Sequence, residues 1–308
     1  MSNIFGKDML RMSDLTRSDI DRILGLASGI KHNHGAGRLS LTAKGKFVAF
    51  VFFSPSTRTE MSFKRALGAL GGEGLNFSDV NPSPGQRRPV EPIRDLARVI
   101  DGYADLVVLR HPSASSAAEY AEHSSAPVVS AGTGVGHDAE HPTQALTDLF
   151  TIQSRLGRLD GLCALLLGEL DQRSARSFAL GLSRYDSPHL ILCHPGEHGL
   201  GRDDVRLIES RGGRIDVLKD YRDALPRVDI VYHAGIDPNV EYDNSYSLTA
   251  PDVTLMRPNA LILHPLPRRR KEIAFDVDND RRAIYFEQSA NGVPVRMAVL
   301  TEMLAPNE

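Results

Sequence analysis

The chain has no tryptophan and only two cysteines, Cys163 and Cys193, among 308 residues. Two thiols set in apolar runs make no disulfide framework; two buried structural cysteines in a reducing compartment are expected. Neither sign of charge is in excess. Thirty-six basic residues against 39 acidic ones give a formal net charge of −3, which excludes a global basic field for nucleic acid. No apolar run approaches the roughly 20 residues needed to span a membrane. The opening MSNIFGKDMLRMSDL has early acids and no apolar core of a signal peptide, so a cytoplasmic location is expected. No internal repeat and no long low-complexity tract is present. LLLGELDQRS carries no G-x-G-x-x-G after its strand-like run, which argues against a dinucleotide-dependent dehydrogenase. His137 and His141 have a ligand-like spacing, but Pro142 implies that a helix begins after both and further ligands are not evident. No metal and no organic cofactor are expected.

What is present is a length and a 41% hydrophobic share that support two domains, each with its own core. SDLTRSDIDRILGLASGIK reads as a helix, with Ser13 or Thr16 at its start and Ile20, Ile23, Leu24 and Leu26 toward a core. KFVAFVFF is too continuously apolar for an exposed strand and reads as a buried parallel one. Phe63, Ala66, Leu67 and Leu70 then form a helical stripe, ended by Gly71-Gly72. ADLVVLRHP and APVVSAG are strand-like, and PTQALTDLFTIQSRLG is a helix with Pro142 near its first turn and Gly157 at its end. LCALLLG, HLILCHP, RIDVL, DIVYHAG and ALILHPLP repeat the strand pattern between helical segments. Strands alternating with helices predict an α/β protein of two doubly wound parallel-sheet domains. The boundary is placed at the helix that begins at 142, giving domains 1–141 and 142–289.

SPSTRT, residues 54–59, crowds two serines, two threonines and an arginine where a strand ends and a helix begins. Ligands of open parallel sheets bind past such strand ends. A helix start offers unpaired N–H groups and partial positive charge. Ser56, Thr57 and Thr59 add hydroxyl donors, and Arg58 adds a planar fork matched to phosphate oxygens. An ordinary N-cap accounts for one hydroxyl, not for three and an arginine. Three more stretches sit at strand ends or helix starts: VLRHP with Arg110 and His111, HDAEHPTQAL with His141 and Gln144, and LHPLPRR with His264, Arg268 and Arg269.

FFSPSTRTEMSF, VLRHP, HPTQALTDLFTIQ, HPLPR and YFEQSANGVPVRMAVL, in this order and spread over nearly the whole chain, resemble the aspartate/ornithine carbamoyltransferase family, its aspartate branch most closely. The resemblance implies a first domain that binds carbamoyl phosphate, a second that binds an amino acceptor, and a homotrimer with shared active sites. It implies that a C-terminal helix, about 294–304 within residues 290–308, packs on the first domain. By position, Ser56, Thr57, Arg58 and Thr59 would hold the phosphate. Thr59, Arg110 and His141 would face the carbonyl oxygen. Gln144 and the backbone carbonyls of Pro265 and Leu266 would hold the carbamoyl amide. Arg173 would hold an acceptor carboxylate, with Arg176 the alternative, since GELDQRSARSF is one residue short there. No nucleophilic serine or cysteine is required by such a transfer.

The chain departs from that pattern in two loops. SPGQRRPVEPIRD lacks the lysine that the family's loop carries; Arg87 or Arg88 would supply the charge, although a guanidinium is not a drop-in for a flexible ammonium. After DIVYHAG, aspartate enzymes carry R-x-Q, where this chain has Gly235, Ile236 and Asp237. A carboxylate stands near where a guanidinium would meet the acceptor, and like charges at close range repel. The ornithine-branch signature is absent as well. Read alone, this loop favours a specialised carbamoyltransferase whose acceptor differs from aspartate, with Asp237 among the acceptor-binding residues. Ordinary carbamoylation of aspartate for pyrimidine synthesis is the alternative if Arg268, Arg269 or Arg270 folds in to replace the missing guanidinium. A non-catalytic carbamoyl phosphate-binding protein is the other alternative. A regulatory chain is neither implied nor excluded.

Overall fold

The computed structural model describes residues 4–35, 40–77, 91–136, 138–237, 246–269 and 271–304. The chain divides into two compact units, Met1–Thr143 with Gly292–Glu308, and Gln144–Asn291. The described elements run α1 (Arg17–Gly35), β1 (Phe47–Phe52), α2 (Thr57–Ala69), β2 (Glu73–Phe77), α3 (Ile93–Ile100), β3 (Leu106–His111), α4 (Ser116–Ala121), β4 (Val128–Thr133) and α5 (Pro142–Leu156). They continue with β5 (Cys163–Gly168), α6 (Arg173–Leu182), β6 (His189–Cys193), α7 (Arg202–Ser210), β7 (Arg214–Val217), β8 (Ile230–Gly235), α8 (Ala250–Thr254), β9 (Leu261–Leu263) and α9 (Tyr285–Leu304).

In the first unit the strands pair in parallel in the order β2-β1-β3-β4. Val48 to Val51 of β1 are buried, as a strand covered on both faces requires. Ala49, Val51, Val107, Leu109 and Val128 share one core cluster with Leu96 and Tyr120 from the helices. Thr16, not Ser13, starts α1: the Thr16 N–H donates to Asp19 Oδ2 at 2.9 Å and the Asp19 N–H to Thr16 Oγ1 at 3.2 Å. Ile20, Ile23, Leu24, Ala27 and Ile30 form its buried stripe, whereas Leu26, expected in it, falls on the flank and is half-buried.

In the second unit the parallel order is β7-β6-β5-β8-β9. Leu165, Leu167, Ile191, Val231 and Ile262 meet on one face of that sheet. Phe178 of α6 stacks on Tyr232 of β8 with ring centroids 4.5 Å apart. Both sheets are thus doubly wound, as the alternation of strands and helices predicts.

Each sheet has one switch point. The chain moves outward from β1 to β2 on one side and from β3 to β4 on the other, so a crevice opens past the ends of β1 and β3. In the second sheet the same reversal falls between β5 and β8. There the ladder shifts register and pairs two glycines of positive φ, Gly168 at 101° and Gly235 at 103°. A Cβ on Gly168 would stand 2.5 Å from the Gly235 carbonyl oxygen, so no larger residue fits.

The structure differs from the sequence reading in three places. Strand β2, EGLNF, has no apolar run to announce it; it is a half-exposed edge, and its Gly74 lies where a Cβ would come within 2.8 Å of the Phe50 ring. Helix α9 begins at Tyr285 rather than near Pro294, which lies inside it. Packing overrides the proline: Val295, Met297, Ala298, Val299 and Leu300 are all buried. Cys193 is buried as expected, but Cys163 is only half-buried, its sulfur 3.6 Å from His189 Nδ1.

Candidate functional site

The first-unit crevice is built from the loop between β1 and α2 and from the end of β3. Ser56 occupies the N-cap position of α2, yet its hydroxyl makes no capping hydrogen bond. Among the described residues neither the Ser56 nor the Thr57 hydroxyl has a hydrogen-bond partner. The first turn of α2 therefore keeps its N–H groups and its positive dipole end without a side-chain cap. Arg58 is exposed beside them. Thr59 is buried, and its Oγ1 stands 3.4 Å from Nε2 of the buried His141. The other ring nitrogen of His141 lies 3.5 Å from Thr143 Oγ1. Arg110 ends β3 and bridges the switch point: its Nε donates to Ser54 Oγ and its Nη1 to the Ala131 carbonyl, each at 3.1 Å. The structure thus gathers residues 54–59, Arg110 and His141. The neighbouring acids are engaged elsewhere, Glu60 with Lys64 and Glu140 with the Met12 N–H.

His111 is not one of these donors. Its Nδ1 accepts the Ser113 N–H at 2.9 Å and its ring packs edge-on against Phe53. His233 and His264 repeat the device at the ends of β8 and β9, accepting from the Gly235 N–H at 3.1 Å and the Leu266 N–H at 2.8 Å. In each case a ring nitrogen shapes the turn two residues on. For His233 and His264 the other nitrogen must then carry the proton, which goes to the Tyr246 carbonyl and to Glu272 respectively.

In the second unit Gln144 lies in the first turn of α5. Its Nε2 donates to Asp148 Oδ1 at 2.7 Å, which turns its Oε1 away as an acceptor with no partner among the described residues. Asp148 is fully buried and also receives Gln288 Nε2 at 2.6 Å and the Tyr232 hydroxyl at 3.1 Å. The Gln288 Oε1 in turn accepts the His264 N–H at 2.9 Å. One buried network therefore orients both Gln144 and the His264–Leu266 turn. In that turn Leu266 has φ of 55°, a strained value for a residue with a side chain, and the Leu266–Pro267 peptide is cis.

Around the second switch point stand Arg173 at the start of α6, the loop Gly235–Asp237, and Arg268–Arg269. Arg176 is committed to the buried Asp204 through two bonds of 2.6 and 3.0 Å, whereas Arg173 stands one turn earlier, at the start of α6. Burial holds the Arg173 guanidinium below its ordinary pKa, and an arginine remains charged at neutral pH regardless. Arg268 is enclosed by Phe275, Tyr285 and Phe286 and bonded to Asp278 and the Tyr285 hydroxyl. Asp237 is half-buried, and its N–H donates to Glu169 Oε1 at 2.9 Å. Burial alone would push the Glu272 carboxyl up, but the hydrogen bond from His264, its closeness to that ring and the Arg269 N–H outweigh it and hold it at about 2.

Arg87, Arg88, His137 and Arg270 lie outside the described residues. Among those described, no group of three or more His, Cys, Asp and Glu side chains is arranged to hold a metal, and no helix is long and apolar enough to cross a membrane. The sequence reading did not single out Asp148, Gln288, Glu169 or Glu272. Asp148 carried a usable signal, lying four residues after Gln144 on a helix; the others are joined to the site only by folding.

Two family models match the chain. One, described as the aspartate/ornithine carbamoyltransferase carbamoyl-P binding domain, matches residues 7–154, and the Asp/Orn binding domain of the same family matches residues 160–303. The chain is 39% identical to the aspartate carbamoyltransferase catalytic subunit of Methanothrix thermoacetophila, over 97% of this chain and 98% of that one. It is 35% identical to that of Methanocaldococcus jannaschii, over 98% and 99%. Among solved structures it resembles aspartate transcarbamoylase from Trypanosoma cruzi in complex with carbamoyl aspartate and phosphate, with a TM-score of 0.89 at 30% identity over 98% of this chain and 97% of that one. The catalytic subunit of M. jannaschii aspartate transcarbamoylase matches with a TM-score of 0.86 at 34% identity, over 96% and 97%.

Proposed function

The chain belongs to the aspartate/ornithine carbamoyltransferase family and is a carbamoyltransferase; we propose that it moves the carbamoyl group of carbamoyl phosphate to the amino group of L-aspartate and releases phosphate. The observation that carries the donor half is the pair of unpartnered hydroxyls at the uncapped start of α2, beside Arg58 and the Thr59–His141 contact. Ser56, Thr57, Arg58 and Thr59 bind the phosphate there.

The neutral amine attacks the carbamoyl carbon. A C–N bond forms as the C–O bond to phosphate breaks, and the departing phosphate takes the amine's proton. Negative charge grows on the carbonyl oxygen, where Thr59, Arg110 and His141 donate. One preplaced donor of this kind is typically worth roughly 3–4 kcal/mol. Arg110 is preplaced because Ser54 and Ala131 fix it. Gln144 accepts from the carbamoyl amide through the oxygen that Asp148 turns outward, and the carbonyls of Pro265 and Leu266 accept from the same amide. Arg173 binds a carboxylate of the acceptor. The remaining rate comes from holding two substrates in one geometry.

Aspartate is preferred as acceptor over the specialised amine that Gly235, Ile236 and Asp237 favour when read alone. The full-length likeness to chains named aspartate carbamoyltransferase supports it. The same reading includes the homotrimer, which light scattering tests. Steady-state phosphate release, with carbamoyl phosphate and a panel of amino acids, tests the acceptor. Saturable turnover of aspartate is expected; a strong preference for another amine sinks the choice. Calorimetric binding of carbamoyl phosphate without turnover on any amine would instead favour a non-catalytic protein.

A further inference from the structure

The dicarboxylate acceptor just proposed, on which this inference rests, needs two cationic receptors near the second switch point. Glu169, Asp237 and Glu272 all stand there and make the need greater. Arg176 is paired with Asp204 and Arg268 with Asp278; Arg173 takes one carboxylate in the proposed function, and the second receptor falls to Arg269. Gly235 cannot contribute a side chain. Its φ of 103° suits glycine alone, and a Cβ there would lie 3.6 Å from Glu272 Oε1.

Arg269 lies over this loop. Its Nη1 donates to the Ile236 carbonyl at 2.7 Å and to Glu272 Oε1 at 3.3 Å. Its backbone N–H donates to Glu272 Oε2 at 2.6 Å, and Glu272 Oε1 also takes the Ile236 N–H at 3.0 Å. Glu272 thereby ties the arginine to the loop. The Nε and Nη2 N–H groups, which form one edge of the guanidinium, have no partner among the described residues, and the side chain is 47% exposed. Such an edge takes a carboxylate through two parallel hydrogen bonds.

We propose that Arg269 is a specificity-determining residue: its Nε/Nη2 edge binds the second carboxylate of the acceptor, Arg173 binding the first, and Glu272 is the positioning residue that aims it. A guanidinium from the loop after β9 supplies the charge that the loop after β8 does not carry.

The test is a steady-state comparison of the wild-type protein with Arg269→Gln and Arg269→Lys, using aspartate and asparagine as acceptors and calorimetry for carbamoyl phosphate. Arg269→Gln should raise the KM for aspartate roughly 10- to 100-fold, leave carbamoyl phosphate affinity unchanged, and erase most of the preference for aspartate over asparagine. Arg269→Lys, which keeps the charge and loses the fork, should fall between and remains informative if the glutamine variant does not fold. An unchanged KM for aspartate in either folded variant overturns the inference and leaves the assigned acceptor standing. A wild-type protein that binds carbamoyl phosphate yet turns over no aspartate overturns both.

Discussion

In the first unit the crevice past β1 and β3 is furnished with hydroxyls, guanidinium groups and an uncapped helix start, and its nearby acids are turned to Lys64 and Met12. In the second unit the crevice past β5 and β8 has the same topological origin but is lined by carboxylates, Glu169, Asp237 and Glu272; Glu169 holds the Asp237 N–H and the Gln172 amide, and Glu272 holds the Ile236 and Arg269 N–H groups. In the proposed function one construction serves two electrostatic tasks. A phosphate needs uncompensated positive charge, which a helix N-terminus and an arginine provide directly. An amino dicarboxylate needs both signs, so acids and arginines must be held apart at fixed positions, and that requires a buried scaffold.

The contrast breaks most visibly at Asp148. Asp148→Ala orphans the buried donors of Gln144, Gln288 and Tyr232 and should destabilise the second unit by about 3–5 kcal/mol, read from denaturant unfolding. In the first crevice Arg110→Ala should lower kcat by roughly 10²- to 10³-fold, with aspartate KM little changed in the same phosphate-release assay.

Acid sharpens the comparison further. Burial, with the nearby His264 adding to it, lowers His233 to about 4 from an ordinary 6.5. The unfolded chain therefore takes up this proton first, and stability is lost as pH falls from about 6.5 to about 4. Glu272, held at about 2 against an ordinary 4.5, keeps its contribution above pH 4.5 and loses it from there down to about 2. Amide exchange in β8 and β9 should accelerate through the first of these windows. A flat profile there contradicts the buried neutral His233. The smallest effect is expected at Ser56. Ser56→Ala should weaken carbamoyl phosphate binding several-fold while leaving stability within about 0.5 kcal/mol, since the hydroxyl caps nothing; an ordinary N-cap would cost about 1 kcal/mol.

Much of this was legible in the residues. The continuous apolar runs of β1, β3, β5 and β8 announce buried parallel strands, and SPSTRT at a strand end announces the start of α2 and its hydroxyls. Strand β2 was not legible, because its glycine is there to make room for Phe50 rather than to mark a turn. The Gly235–Asp237 loop, taken alone, pointed to an unusual acceptor; sequence spacing does not reveal that Arg269, more than thirty positions later, reaches back over it.

By itself, then, the order of residues determined the elements, the doubly wound class and the donors at the first crevice, because apolar periodicity and helix-start chemistry act over a few neighbouring positions. Only the tertiary structure decided which of Arg173, Arg176, Arg268 and Arg269 has an unengaged edge, which way Gln144 turns, and that three histidines shape turns. The arginine outcomes depend on partners 17 to 33 residues apart, brought within about 3 Å by folding, a distance that no local pattern encodes; Gln144 and the histidine turns bond near neighbours, and the fold selects those bonds among the several that such short spacings permit.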